Sequence, residues 1–196
     1  MLHLPNCIIA FRIIAIPVFV MFFKMEMFEL ALGTLIIASI SDAFDGYFAR
    51  KLGLDSDYGK LMDPLADKLL VITAFIFLTT YNIIPEWVLV IIISRELLVT
   101  SIRSIAAASK KVVSARKSGK IKTIFQMTSL ILLYLYLCIV ESSPIAYDAL
   151  WVKILHNLGD ITLYFALVLT IVSGFQYCWD NREIFKDGRL WIKKTK

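Results

Sequence analysis

Four aspartates, Asp42, Asp45, Asp63 and Asp67, lie in stretches that are otherwise apolar enough for a membrane. An ionised aspartate near the centre of a bilayer costs about 2.5–3.5 kcal/mol on insertion scales. The first two are three residues apart and the last two are four apart, so each pair projects from one face of a helix. Carboxylate oxygens are the ligands that Mg²⁺ and Mn²⁺ prefer. The spacing therefore predicts a site for two divalent cations that clamp a phosphoryl group.

Small residues and one arginine accompany these aspartates. Gly46, Ala49 and Gly59 remove side-chain bulk where a phosphorylated ligand could approach the backbone. Arg50 can bind a phosphate through two parallel hydrogen bonds. Taken singly, an intramembrane aspartate or glycine is as readily explained by helix packing or by an ion pair. All eight positions together predict a metal-bound diphosphate site.

The elements that must position these residues are long apolar helices. Of the 196 residues, 59% are hydrophobic and 19% are charged, which is too apolar for an ordinary soluble domain of this length. Six apolar runs are each long enough to cross a hydrocarbon layer of about 30 Å. We predict helices at about residues 5–24, 28–50, 61–81, 84–109, 120–140 and 157–178. The expected architecture is one all-α, six-helix transmembrane bundle over residues 1–196, with an external loop at 141–156.

Two further features of the helices concern their orientation and maturation. The first run contains Asn6 and Arg12 and lacks a basic start, so we expect a mature helix rather than a signal peptide.

Lysines and arginines concentrate at residues 50–60, 110–122 and after 181, and positive residues stay on the cytoplasmic side. Both termini and the 51–58 loop are therefore expected in the cytoplasm. The net charge of +5 favours anionic lipid headgroups and substrates, and no free basic stripe suggests nucleic acid.

The motif around the aspartates resembles that of the CDP-alcohol phosphatidyltransferases. The signature of that family is Asp-x-x-Asp-Gly-x-x-Ala-Arg, eight residues, and then Gly-x-x-x-Asp-x-x-x-Asp. It occurs in full between residues 42 and 67. The resemblance implies six transmembrane helices, a homodimer, and transfer of a phosphatidyl group from a CDP-linked lipid to an alcohol with release of CMP.

The same resemblance implies roles for the residues of the motif. The four aspartates would hold two divalent cations, Mg²⁺ or Mn²⁺, and Asp67 would also be the general base on the acceptor hydroxyl. Gly46, Ala49 and Gly59 would border the cytidine and the diphosphate, and Arg50 would contact phosphate. The alcohol oxygen would attack the phosphorus next to the diacylglycerol.

A second set of basic residues bears on the identity of the alcohol. Arg95 and Arg103 are eight residues apart, about 12 Å along a helix, and share a face. Lys120 and Lys122 lie near a helix start, where backbone N–H groups also favour an anion. Since buried arginines need anionic partners, a phosphorylated acceptor suits these residues better than choline or ethanolamine. Alternatively, Arg95 pairs with Glu96 or with an aspartate of the motif, and the lysines only mark the cytoplasmic side.

Within the family, the chain is similar to the bacterial branch that makes phosphatidylglycerophosphate. This similarity runs from residue 4 to about 185 and is carried by Leu4-Pro-Asn6 with Phe11-Arg12, by the run from Arg95 to Arg103, and by Gly119-Lys-Ile-Lys-Thr123. It implies an enzyme of the bacterial cytoplasmic membrane that uses CDP-diacylglycerol and sn-glycerol 3-phosphate.

This closer similarity implies a further set of binding residues. Asn6 would help to border the CDP site. The acceptor's phosphate would be held by Arg95, Arg103, Lys120, Lys122 and Thr123. The sequence departs from the family's pattern at two places. Ile9 occupies a position where members often have threonine, and the 114–118 stretch is more basic than expected.

Other functions would also use some of these residues. The same reaction could use another acceptor, such as phosphatidylglycerol or inositol phosphate. A membrane prenyltransferase also uses aspartates and Mg²⁺ on a diphosphate, but it would have more helices and differently spaced aspartates. A divalent-cation transporter would place acidic residues at mid-membrane depth and would have no use for Arg50, Arg95 and Arg103.

Overall fold

The computed structural model describes residues 4–52, 57–108, 117–143, 145, 148–180 and 182. Within these ranges it describes the side chains of residues 11–41, 68–104, 119, 121–143, 145, 148–180 and 182. The described backbone forms six helices. They are α1 (Leu4–Lys24), α2 (Phe28–Leu52), α3 (Asp57–Thr80), α4 (Glu86–Ala108), α5 (Lys117–Ser142) and α6 (Leu150–Asp180).

All six predicted helices are present, so the all-α prediction is confirmed. The largest difference is at α6, which begins at Leu150 rather than near 157. The prediction of a loop over 141–156 is therefore wrong for its last part. Residues 150–156 are mostly apolar, and Lys153 and His156 interrupt the apolar run without opposing a helix. His156 Nδ1 lies 3.6 Å from Asp160 Oδ2, one turn further on. Helical propensity and this pairing extend the helix where hydropathy alone would end it.

The ends of α1 and α3 show how the chain turns between neighbouring helices. Glu26 has φ 60° and Asn82 has φ 56°, the left-handed conformation in which many helices end. In both turns the N–H of the left-handed residue and the N–H of the residue after it donate back to carbonyls near the end of the helix, as in Ile83 N to Leu78 O at 3.0 Å. The terminal carbonyls are thereby satisfied and the chain reverses within a few residues.

Aromatic side chains fill the core near these turns. Phe23 packs against Phe19, Phe28 and Phe77 with ring centroids 4.4–6.0 Å apart. The hydroxyl of the fully buried Tyr134 donates to the carbonyl of Ala74 at 2.8 Å, which ties α5 to α3. This cluster anchors α1, α2, α3 and α5 at the end of the bundle away from the aspartate motif.

Polarity is distributed unusually between the inside and the outside of the bundle. Large apolar side chains such as Ile124 and Phe175 are 64% and 69% exposed. Among the side chains that the structure describes, six of the buried ones are polar or charged, namely Arg12, Lys122, Gln126, Ser129, Thr170 and Ser173. Two described segments, Ile121–Ser142 and Leu150–Asp180, are long and apolar enough to cross a membrane. An apolar outer surface around buried polar groups is the arrangement that a lipid environment favours.

Candidate anion-binding site

Three basic side chains from three helices surround one carboxylate. Glu96 of α4 accepts a hydrogen bond from Arg95 Nη1 at 3.2 Å, and its Oε2 lies 3.7 Å from Lys68 Nζ of α3. Lys122 of α5 forms an ion pair with the same carboxylate. The side chains of Lys122 and Glu96 are only 3% and 13% exposed. Among the described side chains, three cations therefore share one carboxylate in a place that water screens poorly, which makes the cluster a candidate site for a further anion.

A threonine one turn along α4 supports this arrangement. The Lys68 ammonium group donates to the hydroxyl of Thr100, and that hydroxyl donates to the carbonyl of Glu96 at 2.7 Å. Lys68 is therefore held against α4 by two groups, although it belongs to α3. Because Lys68 directly follows Asp67, these contacts bring the end of the aspartate motif to α4.

Helix α6 contacts Arg95 through Ser173 and Gly174. Arg95 Nη2 donates to Ser173 Oγ at 2.9 Å, and Arg95 Cγ lies 3.1 Å from where a Cβ on Gly174 would be. The start of α5 is also close, since a Cβ on Gly119 would lie 3.9 Å from Arg95 Nη2. The Nε of Arg95 has no partner among the described residues. Of the five N–H donors of the guanidinium, two are used on Glu96 and Ser173.

The predicted acceptor-phosphate residues are only partly brought together. Arg95 and Lys122 both contact the carboxylate of Glu96. The contact between Arg95 and Glu96 is the alternative pairing that the sequence also allowed. Arg103 and Thr123 are exposed, and the Thr123 hydroxyl donates to the carbonyl of Gly119 at 3.1 Å. The remaining member of the set, Lys120, has a side chain outside the described residues. The roles of all five in binding stay predictions.

The predicted metal and CDP-lipid residues lie on helices whose placement is described only for the backbone. Asp42 and Asp45 are on α2, Asp63 and Asp67 are on α3, and these two helices contact each other. Their side chains lie outside the described residues, as do those of the remaining predicted set, Asn6, Gly46, Ala49, Arg50 and Gly59. Among the described side chains there is no group of three or more potential metal ligands.

Several residues of the cluster were not found from the sequence. Lys68, Thr100, Ser173 and Gly174 belong to no motif that we recognised. A signal was present for some of them, because a lysine that follows an intramembrane aspartate and a Ser-Gly pair inside an apolar helix both need a partner or a close contact. Which partner they find depends on helices far away in the sequence.

The described chain is an all-α protein with an aspartate motif on α2 and α3 and a buried cluster of basic side chains around Glu96. The CDP-alcohol phosphatidyltransferase family profile matches residues 2–172 of the chain. The chain belongs to this family, and the family predicted from the motif is confirmed.

Individual relatives agree with the family assignment. A Bacillus subtilis protein named CDP-diacylglycerol–glycerol-3-phosphate 3-phosphatidyltransferase is 39% identical, over 95% of this chain and 98% of its own length. A Rickettsia typhi protein of the same name is 38% identical over 90% and 96% of the two chains. A Mycobacterium tuberculosis protein named probable phosphatidylglycerophosphate synthase is 32% identical over 89% and 79%.

Proposed function

We propose that the protein transfers the phosphatidyl group of CDP-diacylglycerol to sn-glycerol 3-phosphate, giving phosphatidylglycerophosphate and CMP. The observation that carries this proposal is the buried cation cluster of Lys68, Arg95 and Lys122 beside the end of the family's aspartate motif. The names of relatives that are 37–39% identical over most of the chain support it.

The charge of the cluster favours a phosphate monoester as the acceptor. Among the described side chains, three cations share the carboxylate of Glu96, and a phosphate monoester, with a charge of about −1.5 to −2 at pH 7, is the acceptor group best able to pair with them. Phosphatidylglycerol carries only a singly charged diester between bulky groups, so it matches the cluster less well. Free glycerol offers these cations no anionic group to bind. Inositol phosphate shares the monoester, and a kinetic comparison separates it from glycerol 3-phosphate.

The chemical step is assigned to the aspartate motif. The carboxylates of Asp42, Asp45, Asp63 and Asp67 are a suitable donor set for two divalent cations, Mg²⁺ or Mn²⁺, which when bound would offset the charge that develops on the diphosphate. Asp67 takes the proton of the acceptor's hydroxyl, and the hydroxyl oxygen forms a bond to the lipid-side phosphorus as the bond to CMP breaks. Lys68, next in the chain, helps to hold the acceptor's phosphate within reach.

We also propose that all six helices span the cytoplasmic membrane of a bacterium as one domain, with both termini and the site in the cytoplasm. The exposed apolar side chains of α5 and α6 and the basic residues after α2, α4 and α6 support this orientation. A homodimer within the membrane is part of the proposal, by analogy with the family.

The test is a release assay with purified protein. Protein in detergent is incubated with CDP-diacylglycerol, Mg²⁺ or Mn²⁺, and one of several acceptors, and CMP is quantified. We expect release with sn-glycerol 3-phosphate and little with glycerol, serine, inositol, inositol phosphate or phosphatidylglycerol. No CMP with any acceptor would refute the reaction class, and a preference for another acceptor would refute the proposed product.

One substitution tests the proposed base directly. Asp67→Asn should abolish CMP release while the protein keeps its thermal unfolding transition, because the amide can neither accept the hydroxyl proton nor offer a charged ligand oxygen. Full activity in this variant would remove Asp67 from both roles.

A further inference from the structure

We propose that Ser173 and Gly174 of α6 are positioning residues for the acceptor, because they fix the guanidinium of Arg95 in the anion-binding site. The inference rests on the proposed function, since it concerns the binding of that function's phosphorylated substrate. Neither residue lies in the aspartate motif or in the basic segments of α4 and α5, and α6 carries no predicted site residue.

The hydroxyl of Ser173 is oriented to accept a hydrogen bond from Arg95. Ser173 is 4% exposed, and its own proton is used on the carbonyl of Thr170 at 3.2 Å within α6. The lone pairs of Oγ are then left for the guanidinium, and Nη2 of Arg95 lies 2.9 Å away. A hydrogen bond between a charged and a neutral group in a buried place is among the stronger ones in proteins.

Gly174 provides the space along which the Arg95 side chain runs. A Cβ at this position would lie 3.1 Å from Arg95 Cγ, which is closer than an ordinary van der Waals contact. The contacted atom is near the root of the side chain, so it cannot move aside as freely as a side-chain tip. A shift imposed there is carried along the chain to the guanidinium, where the ligand is bound.

The two contacts and Glu96 together determine the plane of the guanidinium. Nη1 is held by Glu96 at 3.2 Å and Nη2 by Ser173, while Nε has no partner among the described residues. A planar group held at two nitrogens has little freedom to rotate. Helix α6 therefore helps to fix the plane of the Arg95 guanidinium, and so where its other N–H donors point.

Steady-state kinetics on two variants test the proposal. In Ser173→Ala we expect the KM for sn-glycerol 3-phosphate to rise about tenfold, equivalent to about 1.4 kcal/mol of lost binding, while the KM for CDP-diacylglycerol changes less than about twofold. Gly174→Ala should act in the same direction. Binding of sn-glycerol 3-phosphate measured by calorimetry without the lipid donor should weaken by a similar factor in both variants.

Matched controls exist elsewhere in the bundle. Ser129→Ala removes an equally buried hydroxyl that donates to the carbonyl of Gln126 at 2.9 Å within its own helix. Gly33→Ala adds a methyl group at a position where no described atom outside its immediate neighbourhood lies within 4 Å. Both should leave the acceptor's KM within about twofold of wild type.

A double substitution separates positioning from general stability. In an Arg95→Gln background, Ser173→Ala should cause no further rise in the acceptor's KM, because the serine acts only through the arginine. An unchanged acceptor KM in Ser173→Ala, an equal rise for both substrates, or a full additional effect in the Arg95→Gln background would overturn the proposal. Wild-type protein that releases no CMP with sn-glycerol 3-phosphate would instead refute the proposed function. Should Gly174→Ala not fold, Ser173→Ala, which removes a single oxygen atom, carries the test.

Discussion

Removing the carboxylate of Glu96 should destabilise the protein more than removing any one of its cations. Glu96→Gln keeps the size of the side chain but leaves Lys68, Arg95 and Lys122 close together without this counter-charge. Breaking a buried ion pair by removal of one partner costs about 3–5 kcal/mol. Glu96 is 13% exposed and contacts all three cations, so we expect a loss in this range.

Lys122→Met is the informative comparison, because it removes a cation and leaves the anion paired. Glu96 then keeps Arg95 at 3.2 Å and Lys68 at 3.7 Å. The expected loss is about 1.5–3 kcal/mol, the value of one hydrogen bond to a charged group. The double variant Glu96→Gln with Lys122→Met should be more stable than Glu96→Gln alone, since a neutral pair replaces a lysine that has lost this carboxylate.

Thermal unfolding in detergent, followed by near-ultraviolet circular dichroism, measures this order. For a chain of this size about 1 kcal/mol corresponds to about 2–4 °C, so Glu96→Gln should lower Tm by about 6–20 °C. Glu86→Gln, the same substitution at an exposed position in the first turn of α4, is the control and should cost less than about 1 kcal/mol. The double variant should recover stability without recovering CMP release, because Lys122 is assigned to the acceptor.

The predicted role of Glu96 would be refuted if Glu96→Gln unfolded at the wild-type temperature. It would also be refuted if the double variant lost as much as the two single variants added together. The first result would show that Glu96 does not neutralise the cluster, and the second that Glu96 and Lys122 stabilise the protein independently.

Three further predictions concern other parts of the molecule. Arg103→Ala should raise the KM for sn-glycerol 3-phosphate more than that for CDP-diacylglycerol, and an equal rise would argue against a phosphate role. Gly159→Ala should cost about 1–3 kcal/mol of stability, because its Cβ would lie 2.6 Å from Leu133 Cδ2. Gly33→Ala is the neutral control. Adding Leu133→Val to Gly159→Ala should restore part of the lost stability. Burial, and then the charges of Glu26 and Glu141, raise the pKa of Tyr81 above its ordinary value of about 10. The protonated phenol of Tyr81 therefore contributes its full stabilisation below a pH of about 10, and this contribution is lost as the pH rises through the higher folded-state pKa. Tyr81→Phe has no such group to titrate, so its Tm should decrease less at alkaline pH than the Tm of wild type.

The helices and the family could be predicted from the sequence because both depend on local information. A run of about 20 apolar residues forms a helix whatever its neighbours are, and the aspartate motif occupies a single stretch between residues 42 and 67. The error at the start of α6 has the same origin. Hydropathy detects the apolar part of a helix, whereas the polar turn around His156 and Asp160 is helical through propensity and pairing.

The composition of the anion-binding site was decided by the tertiary structure. The sequence allowed Arg95 to pair with Glu96 or with a motif aspartate. The packing of α4 against α6 places Arg95 between Glu96 and Ser173. Lys68 and Ser173 are more than 100 residues apart, and no spacing rule connects them. The sequence alone determined which residue types were available, namely carboxylates of the kind that metals prefer and basic residues of the kind that phosphates prefer. Only the close approach of α3, α4, α5 and α6 selected which cations share one carboxylate, because a buried charge must be neutralised by whatever lies within a few ångströms of it.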